Sequence, residues 1–202
     1  MNTVAIFGGT FNPVHSGHIE IIDALCKMDD IEKVLVIPTK IPPHKNFDYL
    51  ASEDDRLNMC EIACRPFKKA EVSNIEFLRA GKSYTIDTVA DIKKLYPENK
   101  IAITIGADMV TTFTEWKDYK KLLKDTQLIV FYRAGVDKDE FNSALISLKN
   151  QGANIRLIDK TITEVSSSKI RDAFHSDLLC DMICTEILSY IKDNNLYGTN
   201  NG

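Results

Sequence analysis

The sequence predicts an α/β fold, a doubly wound and mostly parallel sheet with helices on both faces. Three observations predict it. Six apolar, β-branched-rich runs, bounded by Gly, Pro or charged residues, read as strands. Segments of helical spacing lie between them, the alternation that builds parallel sheets. The 202 residues, free of repeats, low-complexity stretches and Pro/Gly linkers, suit one domain over 1–202.

The elements follow in order. TVAIF (3–7) is the first strand, and HIEIIDALCKM (18–28) a helix with Ile19, Ile22 and Leu25 on one stripe. KVLVIP (33–38) is the second strand. SEDDRLNMCEIA (52–63) opens a helix on Ser52, with Asp55 three residues on in a capping-box-like start. AEVSNIEF (70–77) reads as a strand, YTIDTVADIKKL (84–95) as a helix, KIAITIG (100–106) as a strand and WKDYKKLLKD (116–125) as a helix. QLIVFYR (127–133), EFNSALISLKN (140–150) and NIRLI (154–158) continue the alternation. SKIRDAF (168–174) and TEILSYIKDN (185–194) make a C-terminal helical part over about 165–197. TKIPPHKNFDYLA (39–51) is the longest irregular piece of the first half. Its length, its prolines and its place after a strand end predict a loop that moves when ligand binds.

Composition excludes some classes. Lys and Arg total 25 against 29 Asp and Glu, a net charge of -4, so bulk nucleic-acid binding is not expected and any anion site must be local. No apolar run approaches the roughly 20 residues of a membrane span. MNTVAIFGGT lacks a basic n-region, so a cytoplasmic location is expected. Of the five cysteines, Cys60/Cys64 and Cys180/Cys184 stand at i,i+4 on helical segments. Each pair could face a metal, but reduced core thiols are the favoured reading, because buried free cysteine packs as a small hydrophobe.

Two motifs carry chemistry. GGTFNPVHSGH (8–18) puts Gly8 and Gly9 after the first strand, where they permit a sharp turn and close ligand approach. It is not G-x-G-x-x-G, which weakens a dinucleotide hydride-transfer reading. Gly17 begins the helix and His18 lies in its first turn, where a helix N-terminus favours phosphate; His15 and His18 add donors there. VSSSKIR (165–171) offers serines that can cap a helix, with Arg171 four residues after Ser167 on the same face. A lone histidine here would read as a surface residue and an ordinary cap explains the serine motif alone, but Gly-Gly, Pro13 and both histidines together argue against an ordinary turn. Together the two motifs read as two jaws of a polyphosphate clamp.

These residues resemble the two signatures of the nucleotidylyltransferase superfamily with the (H/T)xGH motif. PPHK (42–45), GKSYTIDTV (81–89) and IGADMVTTFTEW (105–116) narrow the resemblance to the bacterial nicotinate mononucleotide adenylyltransferase family, in its order and spacing from Val4 to about Tyr197. The resemblance implies a Rossmann-like fold and attack of the nicotinate mononucleotide 5′-phosphate on the α-phosphorus of ATP. The products are deamido-NAD and pyrophosphate, with no covalent enzyme intermediate. It assigns His15, His18 and Arg171 catalytic roles, and Gly8, Gly9, Phe11, Gly106, Asp108, Ser167 and Ser168 to the ATP site with them. Thr10, His44, Lys45, Tyr84, Thr85 and Trp116 fall to the mononucleotide, with Tyr84 and Thr85 at the nicotinate carboxylate and Trp116 stacked on the pyridine. Mg²⁺ accompanies ATP without a dedicated protein site. Partners are the two nucleotides, with no nucleic acid or membrane and with homo-oligomerisation left open. Asn12 stands where many relatives have Asp, and Ser168 where Thr is usual. A phosphopantetheine adenylyltransferase would share the phosphate motifs but lack GKSYTIDT and TEW. A non-catalytic nucleotide sensor would not need His15, His18 and Arg171 together.

Overall fold

Strand β1 (Thr3–Gly9) lies inside a six-stranded, all-parallel sheet of order β3-β2-β1-β4-β5-β6. The other strands are β2 (Ile31–Pro38), β3 (Ala70–Val72), β4 (Lys100–Gly106), β5 (Gln127–Phe131) and β6 (Asn154–Ile158). The structure is a computed structural model and describes residues 2–40, 49–132, 136–160, 162–163, 165–174 and 182–198. The helices are α1 (Ser16–Cys26), α2 (Glu53–Cys64), α3 (Thr85–Leu95), α4 (Ala107–Thr111), α5 (Tyr119–Asp125), α6 (Lys138–Asn150), α7 (Ser167–Ala173) and α8 (Thr185–Asp193). None of the described helices is long and apolar enough to cross a membrane.

The apolar strands feed two cores. On β1, Ala5 and Phe7 join Ile21, Ile22, Leu25, Met59, Ile187 and Ile191 on the face of α1, α2 and α8. Val4 and Ile6 join Ile86, Val89, Leu122, Phe141 and Leu145 on the face of α3, α5 and α6. A sheet buried on both faces explains why these strands read as near-continuous apolar runs. Cys60 and Cys64 are buried in the first core, as the core-thiol reading expects.

The strand order reverses between β1 and β4, the switch point where open α/β sheets bind ligands. Their pairing runs only from Thr3↔Lys100 to Ile6↔Ile103. Past it, β1 continues along β2 to Gly9↔Pro38 and β4 along β5 to Gly106↔Phe131, so a crevice opens between the two C-terminal ends.

Two elements differ from expectation. The third strand is Ala70–Val72 rather than 70–77, because β3 pairs only with Val34, Leu35 and Val36 of β2. Beyond it the chain turns, with Phe77 N–H donating to Asn74 O at 2.8 Å. Lys40 Nζ holds the carbonyls of Phe77 and Arg79 at 2.8 and 2.7 Å. The helix expected over 116–125 starts at Tyr119. Asp118 is left-handed (φ 53°) and Trp116 extended, turned back to stack on Phe113 with ring centroids 4.9 Å apart.

Candidate active site

The turn after β1 is built differently from the glycine turn its sequence suggests. Gly8 and Gly9 finish the strand without a left-handed backbone, and the left-handed residue is Phe11, at φ 50°. Gly9 is needed for close approach instead: a Cβ there would lie 2.9 Å from the Phe11 ring. Phe11 is fully buried, so its ring packs within the protein rather than meeting a ligand. The Asn12–Pro13 peptide is cis.

His15 caps α1, and the helix begins at Ser16 rather than Gly17. The two imidazoles stack with centroids 3.6 Å apart, and His15 N–H donates to His18 Nδ1 at 3.2 Å. The Phe11 ring meets His18 edge-on at 4.9 Å, so one aromatic stack orients both histidines. Gly17 admits a close neighbour: its missing Cβ would stand 3.0 Å from Thr163 O. Glu20 on α1 accepts hydrogen bonds from the N–H and hydroxyl of Thr163, fixing the chain just before the second motif.

The two motifs meet directly. Ser166 caps α7, accepting from Lys169 N–H at 3.2 Å, while Ser167 Oγ donates to Pro13 O at 2.8 Å. Arg171 donates from Nη1 to Asn12 O at 2.7 Å and from Nη2 to Ser168 Oγ at 3.2 Å. Residues more than 150 positions apart in sequence thus form one polar surface at the end of β1.

Gly106 closes β4 across the crevice and caps α4; Asp108 lies exposed in the first turn of that helix and is not its cap. Tyr84 caps α3 with no side-chain hydrogen bond to the helix, and Thr85 is its first residue. Lys117 Nζ sits 4.5 Å over the Tyr84 ring and 3.4 Å from Asp87 Oδ2. Behind this turn lies buried Glu76, whose carboxylate accepts from Thr88 Oγ1 at 2.6 Å; burial pushes its pKa up. Thr10 is half-buried at the end of β1. His44, Lys45 and most of the 39–51 loop lie outside the described residues, as does Cys180.

Sequence reasoning passed over three residues here. Asn12, noted only as a departure, is buried; its Nδ2 donates to Tyr49 O at 2.9 Å. Its Oδ1 accepts from Ala51 N–H at 3.0 Å and Tyr197 hydroxyl at 2.8 Å. Tyr197 stacks on Phe174, just beyond α7. Arg56 on α2 is 1% exposed and donates only to backbone carbonyls. The one available signal was a lone arginine amid the periodic α2 pattern.

A family model described as cytidylyltransferase-like matches residues 6–173. A nicotinate-nucleotide adenylyltransferase of Carboxydothermus hydrogenoformans is 39% identical over 196 residues, covering 96% of this chain and 97% of its own. One from Borreliella burgdorferi is 33% identical over 195 residues, covering 96% of each. Among solved structures, the Plasmodium falciparum nicotinic acid mononucleotide adenylyltransferase complexed with NaAD is similar with a TM-score of 0.82, at 22% identity over 99% of both chains. That likeness is one of fold.

Proposed function

This chain belongs to the cytidylyltransferase-like family and, within it, to the nicotinate-nucleotide adenylyltransferases, and from that premise we propose how its site joins ATP to nicotinate mononucleotide. The reaction gives deamido-NAD and pyrophosphate in NAD biosynthesis, in the cytoplasm. An oxygen of the mononucleotide 5′-phosphate attacks the α-phosphorus of ATP, and the bond from that phosphorus to the α,β-bridging oxygen breaks. Pyrophosphate carries away the electron pair, and no enzyme group becomes bonded to phosphorus.

Such a displacement asks the protein for alignment and for donors where charge grows. His15 and His18 stand at the α1 N-terminus, whose backbone N–H groups and dipole favour phosphate oxygens. We assign them to the phosphates flanking the bond that breaks. Ser167 and Arg171 grip the outgoing end of the triphosphate. The fork of Arg171 suits phosphate geometry better than a point charge. Gly8, Gly9, Gly106 and Asp108 frame the rest of ATP, with buried Phe11 packed against Gly9 behind them. Mg²⁺ with ATP would neutralise charge on the triphosphate and would need no dedicated protein ligands. Thr10, Lys45 and His44 belong with the mononucleotide phosphate, Tyr84 and Thr85 with the nicotinate carboxylate, and Trp116 with the pyridine face.

The observation that most supports this reading is the direct bonding of Ser167 and Arg171 to Pro13 and Asn12. It brings a helix N-terminus, two imidazoles and a guanidinium to one strand end. The test is pyrophosphate release from ATP with nicotinate mononucleotide, nicotinamide mononucleotide or phosphopantetheine as acceptor. Release with the first is expected; release with phosphopantetheine alone, or with none, overturns the reading.

A further inference from the structure

We propose that Arg56 is a positioning residue for the mononucleotide half of the site, drawing together the backbone ends of the chain segments that meet there; this rests on the reading above that the mononucleotide lies beside Thr10. Its side chain donates to four carbonyls: Nη1 to Thr10 O at 3.0 Å and Thr39 O at 2.6 Å, Nε to Ala51 O at 3.2 Å, and Nη2 to Lys40 O at 3.4 Å. Thr10 follows β1, Thr39 and Lys40 follow β2, and Ala51 precedes α2. The guanidinium therefore sits beneath the C-terminal ends of two neighbouring strands and the start of the next helix. Phe77, its ring 5.2 Å away, covers it.

Three features separate this arrangement from ordinary packing. None of the ion pairs among the described residues includes Arg56, and the carboxyls of Glu53 and Glu76 act on it only through space. Burial lowers its pKa, but an arginine starts so high that it stays charged. A buried charge without a counter-ion is costly, so its hydrogen bonds to these carbonyls are what hold it there. Second, its bonds fall on the turn rather than on the element that carries it, spanning 5 to 46 positions of sequence. Third, a trans peptide holds C=O and N–H in opposite directions, so aiming the Thr10 carbonyl at Arg56 turns the Phe11 N–H away from it. That is the residue whose left-handed backbone forms the turn. Arg56 thus stabilises an unfavourable conformation and leaves positive potential under an anion site.

Arg56 donates to neither Asn12 nor Pro13, where Ser167 and Arg171 are anchored, and three of its four carbonyls belong to Thr39, Lys40 and Ala51, so its effect should fall mainly on the mononucleotide. With Arg56→Met, KM for nicotinate mononucleotide is expected to rise about tenfold or more while KM for ATP changes by less than about threefold. Arg56→Lys keeps the charge and part of the bonding, and is expected to fall between. Equal changes in both KM values, or no change in a folded Arg56→Met protein, overturn the proposal. A second readout needs no neutral variant: in the wild-type protein, the Arg56 guanidinium NMR signals, assigned by their absence in Arg56→Lys, should shift with nicotinate mononucleotide and not with α,β-methylene ATP. The reverse pattern, or no shift, counts against it. If wild-type protein releases pyrophosphate only with another acceptor, the functional reading fails instead, and the KM split is then read on that acceptor.

Discussion

Arg171 and Asn12 lie 159 positions apart and meet at 2.7 Å, Nη1 of the guanidinium donating to the Asn12 carbonyl. Asn12 in turn holds Tyr49, Ala51 and Tyr197 through its side chain. One buried amide therefore fixes the phosphate turn, the segment leading into α2 and the end of the chain, and Arg171 is registered against all of them. An arginine seated this way is preorganised, so less of its binding energy goes into ordering it.

Arg171→Lys is expected to keep the fold and to lower kcat/KM for ATP by about 10²-fold or more. An ammonium is a compact point charge that cannot copy a planar fork, whereas the guanidinium bonds Asn12 O and Ser168 Oγ together and presents a planar edge to phosphate. Steady-state kinetics beside a thermal melt checks this, and near-normal kcat/KM would remove Arg171 from the triphosphate grip.

His18→Ala should leave a soluble, folded protein whose kcat falls by about 10²-fold or more, the usual scale for losing one donor to developing charge. The half-buried His18 ring does stack on His15 and touch Phe11, so a modest fall in Tm is expected as well. Activity and stability separate in one experiment. A folded variant with wild-type kcat would sink the assignment.

Much of this was legible in the sequence, and the remainder has a common physical reason. The strands and helices announced themselves through local periodicity and caps, such as Ser52 accepting from Asp55 N–H at 3.0 Å. Both phosphate motifs were visible because glycines, histidines and serines at strand and helix ends have few bland explanations together. What stayed hidden is set by contacts distant in sequence. Nothing near residue 73 says that β2 offers β3 only three partners. Nothing near Gly9 says that the left-handed residue will be Phe11, which β-carbon sterics disfavour and whose preceding carbonyl, Thr10 O, Arg56 holds from α2. Trp116 leaves its helical pattern because stacking on Phe113 outweighs the propensity of its neighbours.

The buried thiols give a prediction about alkaline pH. Burial pushes Cys60 up, and Cys64 up to about 12, from an ordinary value near 9. A pKa raised by folding means that the unfolded chain loses its thiol proton first. Stability from the neutral thiols is therefore complete below about 9 and declines as pH rises toward 12. The melting temperature should fall over that window, and less steeply in Cys64→Ala, whose difference from wild type cancels the lysines and tyrosines that titrate alongside. Parallel curves would show that Cys64 is not held neutral. At pH 8, alkylation of Cys60 and Cys64 should await unfolding.

The last prediction concerns the acceptor: kcat/KM should favour nicotinate over nicotinamide mononucleotide by roughly tenfold to a hundredfold. The two differ only in a carboxylate against a neutral amide, far from the reacting phosphate. Tyr84 caps α3 without a side-chain hydrogen bond, and while Asp87 N–H bonds the Tyr84 carbonyl, the N–H groups of Thr85 and Ile86 have no partner within the helix and are left as donors. A carboxylate accepts from them at both oxygens. An amide turns its NH₂ toward one, leaving a donor unpaired at about 1–3 kcal/mol, which is the discrimination stated. Lys117, over the Tyr84 ring and paired with Asp87, puts a cation beside the same turn and should add a smaller, salt-sensitive preference for the acid. Trp116 stacks on either pyridine and so should set affinity more than choice. Lys117→Gln is expected to narrow the ratio by a few-fold at low ionic strength and hardly at all at high. Comparable kcat/KM for the two mononucleotides in the wild type would remove the Tyr84–Thr85 turn from carboxylate recognition while leaving adenylyl transfer in place.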